Sequence, residues 1–400
     1  MSLVLFSCSI HEEIENGKRT AVIVSIISPV RTYDEALAIA ESSISILETA
    51  STRSEKVRKI NPSTSCCVTI PSTRSAANGD GIDTLMYIFN FENNAGFSLV
   101  AANRSVNPLL GIAEKGSYTY GEKTGAENFD FYMATLVESL QSVKYPPFDT
   151  LLTGPSFKNV EIDEHSECQP LVSVNWNQRN VFGAYCSNGL AGCTAVAFAQ
   201  IMSYYEYPRM VTTTYTDAPH AGETILIDWT SVKSNPNTYQ VSALLREIGK
   251  KFKIDYKKTS GADPSDVLVG IRSFGYHCPL AYSSFSSAPI RALLDNSRPV
   301  YVRGNETANG RGHAWVTDGY IYSRTGTEYY EWRIVDELFG KPTYDYVLVN
   351  STVVTTDLLH FNWGWDEFWN GYYTAIDSRS AGGYTFQNNN MQFVNCITLD

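Results

Sequence analysis

The stretch that most constrains this chain is Gly192-Cys193-Thr-Ala-Val-Ala-Phe-Ala-Gln-Ile-Met-Ser-Tyr-Tyr205. Between Thr194 and Tyr205 only Thr194, Gln200 and Ser203 are polar, so apolar residues run nearly all round a helical cylinder. Such a helix belongs inside a domain, and a chain that contains it must wrap a second layer around it. Ala195, Ala197 and Ala199 favour helix, and Pro208 marks a stop just beyond. Cys193 falls on the first turn. There the helix dipole and unpaired backbone N–H groups favour a thiolate, which is how cysteine becomes a nucleophile near neutral pH. Cysteine is also among the most buried residue types, so on this stretch alone packing filler and catalyst remain open.

The rest of the composition narrows the function. The 31 basic and 42 acidic side chains leave a net charge of −11 with no basic block, which argues against nucleic acid as a partner. No apolar run is long enough to span a bilayer as a helix. The cysteines at 8, 66, 67, 168, 186, 193, 278 and 396 include no C-x-x-C pair, and no H-x-x-x-H occurs, so no metal site is expected. Their irregular spacing imposes no disulfide framework. No cofactor motif is present.

In chain order, Leu3-Val-Leu-Phe-Ser-Cys8 resembles the end of a bacterial lipoprotein signal with Cys8 as the lipidated residue, without its charged start or full apolar segment. Either the true start lies upstream or the match is chance. Residues 1–19 are therefore set apart as a leader. Ala21–Ile27 reads as a strand. Tyr33–Leu47 reads as a helix with Leu37, Ala40, Ile44 and Leu47 on one face, and 51–81 as a long polar loop or insert. Strands follow at Leu85–Phe91, Gly96–Ala102 and Leu109–Ala113, then a helix over Phe129–Val143. Residues 146–170 are polar and read as irregular, a linker between an α+β domain at 20–150 and a second unit from 172 to 400. The second unit begins with the cysteine helix. Helices over 241–252 and 265–274, the latter capped by Ser265, precede strands at 299–303, 312–318, 329–332, 358–363 and 371–376.

A cysteine nucleophile needs a base. His11 lies in the leader, His165 in the linker, His220 in a loop, His277 beside Cys278 and His360 within a strand. His313 differs, because it follows the loop 304–312 and opens the strand Ala-Trp-Val-Thr-Asp318. A residue at such a junction can point into a cleft while the strand behind it holds it fixed. Beyond it, His360-Phe-Asn-Trp-Gly-Trp365 and Phe368-Trp-Asn-Gly-Tyr-Tyr373 supply either an aromatic wall around an imidazole or an ordinary aromatic core.

Taken in this order the motifs resemble the streptopain family of cysteine peptidase zymogens, in the papain-like clan. The matching residues are Val174-Asn-Trp-Asn-Gln178, Ala191-Gly-Cys193 through Pro208, Pro299-Val-Tyr-Val302, Gly312-His-Ala-Trp-Val-Thr-Asp-Gly319 and Phe361-Asn-Trp-Gly-Trp365. Tyr87–Phe91, Gly96–Ala102 and Leu110-Gly-Ile112 match the family's propeptide. The separation of Cys193 and His313, 313 − 193 = 120 residues, is near the ~130–150 between nucleophile and base in papain-like enzymes.

The resemblance implies an α+β fold: a papain-like two-lobed catalytic domain, helical lobe plus antiparallel sheet or barrel, preceded by an α+β inhibitory prodomain. It implies Cys193 as nucleophile and His313 as base, Trp363 packed on the histidine, Trp365 supporting the wall and Asn362 nearest to the orienting position. The backbone N–H of Cys193 is one oxyanion donor. Ser187 stands where papain-type enzymes carry a glutamine, Gln178 is not assigned that job, and the second donor is unnamed. The activity implied is self-processing peptide hydrolysis through an acyl-enzyme, with cleavage in 151–171. An apolar pocket receives the side chain one residue before the cleaved one. Partners are peptide substrates and the chain's own prodomain. The location is exported, secreted or lipid-anchored through Cys8. Two other readings stay open: a catalytically silent or inhibitory homologue, and a transglutaminase-like acyltransferase on a related Cys–His scaffold.

Overall fold

The computed structural model describes residues 30–49, 58–71, 82–143, 157–256, 260–305, 312–338, 341–375, 391–394 and 397–399. The expected leader, Cys8 and the strand at 21–27 lie outside them. Helix α1 (Tyr33–Thr49) buries Ala40, Ile44 and Leu47 as its periodicity predicts, while Ala36 is buried in place of Leu37, which is half-buried. It lies on an antiparallel meander of β1 (Cys66–Pro71), β2 (Ile82–Asn90), β3 (Phe97–Ala101) and β4 (Leu109–Ala113). Strand β1 replaces part of the loop expected over 51–81: Val68 turns inward and is fully buried, so a short polar-flanked strand suffices to edge the sheet. Helix α2 (Glu127–Ser142) follows. Its buried face carries Asn128, Phe129, Phe131, Tyr132 and Leu136, which is more aromatic than a lone helix of this small domain requires.

Strand β5 (Phe157–Cys168) comes next, then α3 (Cys193–Tyr205), the short pair β6 (Met210–Thr212) and β7 (Thr224–Leu226), and α4 (Trp229–Ser234). Helices α5 (Tyr239–Lys251) and α6 (Pro264–Ser273) pack against the α3 side of the molecule. The cap of α6 is Asp263 and not Ser265. Asp263 accepts from the Ser265 N–H at 2.8 Å, and Pro264 fills the first helical position, where no N–H is needed. Helix α3 is the centre of this lobe, with Ala195, Val196, Phe198, Ala199, Ile201 and Met202 buried. Its buried Gln200 is matched by the Trp176 N–H, which donates to Oε1 at 3.1 Å.

The remaining elements are β8 (Tyr276–His277), β9 (Ser283–Ser284), α7 (Ser287–Asp295), β10 (Val300–Asn305), β11 (Gly312–Leu338), β12 (Lys341–Ser351), β13 (Val354–Asn362), β14 (Gly371–Thr374), β15 (Met391–Phe393) and β16 (Thr398–Leu399). Helical lobe and antiparallel sheet lobe together make the α+β, papain-like two-lobed fold. Two features go beyond the sequence reading. The sheet runs β1-β2-β3-β4-β14-β13-β11-β10-β15-β9 without a break, so the N-terminal meander joins the second unit edge to edge through β4 and β14 (Gly371↔Ala113, Tyr372↔Ile112). Ile44, Leu47 and Ile112 share one core with Leu358 and Tyr372 across that seam. The second feature is a ribbon. Where an irregular linker was expected, β5 pairs with β11 from Phe157↔Glu331 to Cys168↔Tyr320, while β12 and β13 flank the other edge of β11. Polar side chains on both faces hide such a strand from a hydrophobic pattern, and its backbone pairing supplies the order instead.

Candidate active site

Cys193 opens α3 behind Gly192, whose φ of 89° lies in the left-handed region and whose Cβ, if it had one, would sit 2.7 Å from the Ser260 carbonyl oxygen. Only glycine fits both demands, and the turn it makes presents the sulfur at the lip of the lobe. Burial pushes the Cys193 thiol up to about 11. Backbone N–H groups of Ala314, Thr194 and Cys193 itself act in the opposite direction, and the carboxylate of Glu127, from the first turn of α2, pushes it further up. The lowered pKa that a helix start favours is therefore overridden here. The thiol is protonated at neutral pH.

His313 stands at the start of β11 opposite Gly304 of β10, and it is buried. Cys193 and His313 line the same cavity of ≈ 40 Å³. On its other side the imidazole meets the N-terminal domain: the Phe131 ring of α2 stacks on it, centroids 5.2 Å apart and planes at 28°. Gly304 makes room for that ring, since a Cβ there would fall 2.2 Å from Phe131 Cε1. One turn earlier the Asn128 carboxamide donates to the Ala314 carbonyl at 3.2 Å and to the Trp363 carbonyl. Tyr132 adds a bond from its hydroxyl to the Thr374 carbonyl at 2.9 Å. The aromatic excess on α2 is thus an interface.

The other residues singled out from the sequence are placed as follows. Trp363 is buried in a ring cluster with Trp315 (5.2 Å), Phe129, Tyr132 and Tyr373, and its Nε1 donates to the Trp369 carbonyl at 2.8 Å. Trp365 is half-buried under the Arg179 guanidinium, 5.2 Å from its ring centre. Asn362 donates to the Val174 carbonyl (2.9 Å) and to Asn175 Oδ1 (3.3 Å) and accepts from the Gly364 N–H, which clamps the approach to α3 onto β13. Gln178 accepts the Ala191 N–H on its backbone carbonyl at 2.9 Å, so it lies beside the turn that delivers Cys193. Among the described residues no group of three or more His, Cys, Asp and Glu could hold a metal ion.

One histidine passed over in the sequence turns out to be buried in a charged cluster. His360 Nδ1 meets Asp318 Oδ1 at 2.6 Å, and its Nε2 faces Glu114 Oε1, which follows β4, at 3.4 Å. Burial works against its charge, but Asp318 and then Glu114 outweigh it and raise its pKa to about 10. Glu114 is lowered in turn: desolvation opposes its charge, while His360 and, more weakly, Arg58 prevail. The second oxygen of Asp318 accepts the Val172 N–H at 2.9 Å. A hydrophobic pattern carries no signal for this cluster, because its three members are far apart in sequence and meet only through the pairing of the sheet.

Comparison with known proteins gives the class. Residues 176–373 match the model of the peptidase C10 family, and residues 27–138 match that of the Spi protease inhibitor. The chain is a cysteine-type peptidase in zymogen form, with an inhibitor-like domain ahead of the peptidase domain. It belongs to the peptidase C10 family, that of streptopain. Streptopain of Streptococcus pyogenes is 25% identical over 278 residues, covering 58% of this chain and 68% of that protein. The thiol protease/hemagglutinin PrtT of Porphyromonas gingivalis is 24% identical over 346 residues, 75% of this chain and 35% of that protein. A prointerpain A fragment from Prevotella intermedia superposes with a TM-score of 0.49 at 18% identity, covering 82% of this chain and 98% of that one.

Proposed function

We propose that the chain is the latent form of a self-processing cysteine endopeptidase in which Cys193 is the nucleophile and His313 the base. The observation that carries the reading is the Phe131 ring stacked on His313, with Asn128 bridging the Ala314 and Trp363 carbonyls beside it. Residues 20–150 act as the intramolecular inhibitor. They bury the imidazole, and with Glu127 they keep the thiol neutral. Once they are cleaved off and leave, the helix N-terminus and the imidazolium stabilise the Cys193 thiolate. The thiolate attacks a peptide carbonyl, the Cys193 N–H receives the oxyanion, and His313 protonates the leaving amine before activating water on the acyl-enzyme. Trp363 and Trp365 belong to the aromatic shell of the site, and Asn362 acts through the backbone it clamps.

Cleavage that releases the inhibitor falls ahead of Phe157, because 157–168 is hydrogen-bonded along its length to β11 and a protease needs an extended, unpaired segment. An exported bacterial protein is the location this reading implies. Among the described residues no helix is long and apolar enough to cross a membrane.

The test is intact mass against time under mild reduction, beside Cys193→Ala. Wild type is expected to shed roughly 145–155 N-terminal residues, inside the fraction of the chain that precedes β5, while the variant stays whole. Retention of full length by both, with no peptide hydrolysis after an added trace of protease, would leave a silent or inhibitory homologue. Phe131→Ala bears on the inhibitor directly. Emptying a buried phenylalanine site costs about 3–5 kcal/mol, and here part of that loss falls on docking between the two domains. Processing in the same assay is expected to run at least about tenfold faster, a factor worth only 1.4 kcal/mol of that loss.

A further inference from the structure

The cavity next to Cys193 is walled by Thr194, Ala262, Val267, Tyr282, Tyr301 and Arg303, and none of the residues lining it comes from the N-terminal domain. Arg303 therefore puts a cation into a largely apolar cavity beside Cys193. Arg303 projects from β10, two residues before the end of the strand that pairs with His313. Its Nη1 donates to Gln392 Oε1 and its Nη2 to Asn305 Oδ1, each at 2.6 Å, and the guanidinium lies 5.2 Å from the Tyr282 ring centre. These partners hold the group in place without neutralising it. Among the described residues no carboxylate stands within ion-pair distance of Arg303, and the nearby Asp263 is committed to capping α6 through Ser265. A guanidinium has five N–H donors, of which the described residues engage two. The Thr194 hydroxyl, in the same wall, is buried without a hydrogen-bond partner.

A half-buried cation with spare donors, beside an unpaired hydroxyl and within a ring of apolar side chains, is a poor receptor for a leucine and a good one for a carboxylate on a short aliphatic stem. The stem would lie against Ala262 and Val267, and the carboxylate would meet Arg303. We infer that Arg303 makes this cavity a subsite for an acidic side chain, glutamate before aspartate, on the second residue to the acyl side of the cleaved bond. The inference rests on the reading of Cys193 and His313 as the reacting pair, and it adds to that reading which peptides the pair cleaves. Arg303 is a specificity-determining residue and takes no part in bond making.

The experiment uses the processed enzyme and three fluorogenic peptides identical except at that second position, which carries Glu, Gln or Leu. At neutral pH kcat/KM for Glu is expected to exceed that for Gln by about tenfold or more, since a charge-assisted bond is worth roughly twice a neutral one. Arg303→Gln should bring that ratio to about one while the Gln peptide is turned over within a few-fold of wild type. In wild type the advantage of Glu over Gln should fall as pH drops through the substrate carboxyl's own pKa, about 4.3. A wild-type preference for Leu or Gln over Glu overturns the inference even if the Arg303 variant fails to fold. So does a Glu preference that survives Arg303→Gln. Failure of all three peptides, together with no alkylation of Cys193, would instead be the failure of the peptidase reading.

Discussion

Alanine at position 193 is expected to lower peptide hydrolysis by about 10⁴-fold or more while the unfolding midpoint stays near that of wild type. Removing the nucleophile from a set of groups that act as a unit removes nearly all that the set contributes, and the residual rate comes from binding and the oxyanion donors. The fold tolerates the change because Cys193 is a small, partly buried residue at the start of α3, whereas the helix is anchored by Val196, Phe198, Ile201 and Met202. The comparison is made after an exogenous protease has taken the N-terminal domain from both proteins, so that failure to self-process does not masquerade as failure to hydrolyse. Residual activity within tenfold of wild type would move the nucleophile elsewhere.

Asp318→Ala is expected to destabilise the zymogen by about 3–5 kcal/mol, the cost of stranding a buried charge by removing its partner. Asp318 is fully buried, so water cannot replace it at His360, and the Val172 N–H loses its acceptor as well. The pH dependence follows from the same cluster. His360 is raised from its ordinary 6.5 to about 10, so its stabilising contribution is complete below about pH 6.5 and is lost as pH rises through about 10. Glu114 is shifted the other way, so its share is present above the usual carboxylate range and is lost in stronger acid. Urea unfolding of the Cys193→Ala zymogen from pH 6 to 10 should therefore record declining stability, and Asp318→Ala should flatten that decline. Equal slopes would mean that His360 is not the titrating group. Because Glu114 precedes α2 and His360 lies on β13, the cluster also pins the inhibitor-like domain across the seam between β4 and β14.

What was legible in the sequence is what local pattern controls. The all-round apolar run from Thr194 to Tyr205, the stripe Ala40-Ile44-Leu47 and the turn residues around the N-terminal meander each appear as the expected element. Cys193 and His313 could be chosen because each occupies a junction, helix start or strand start, where a side chain faces a cleft, and the structure puts both on one cavity. What could not be read depends on pairing across distance. Strand β5 carries Lys158, Glu161, Asp163, Glu164 and Glu167, with only Val160 and Ile162 half-buried on one face, so its register with β11 is what reveals it. The Phe131 ring sits in an ordinary amphipathic helix, and nothing within that helix says that an imidazole lies opposite. His360 looked like a spare histidine in a strand, and only its neighbours from β11 and the end of β4 give it a charge to hold. The thiol also runs against its local setting: a helix start favours the thiolate, and burial, with Glu127 of α2 adding to it, wins.

The most direct test of the account is the rate of alkylation of Cys193 against pH, followed by peptide mapping, in the full chain and after removal of the N-terminal domain. The full chain should react slowly at neutral pH, with a rate that climbs only towards the alkaline end, as a thiol at about 11 requires. The processed enzyme should react fast at neutral pH, with an inflection in the range of about 3.5–7.5 that activated cysteines occupy, and His313→Ala should abolish that inflection. An alkaline inflection that persists after the domain has gone, or one that is indifferent to His313, would contradict the claim that the N-terminal domain holds a Cys193–His313 pair in its inactive state.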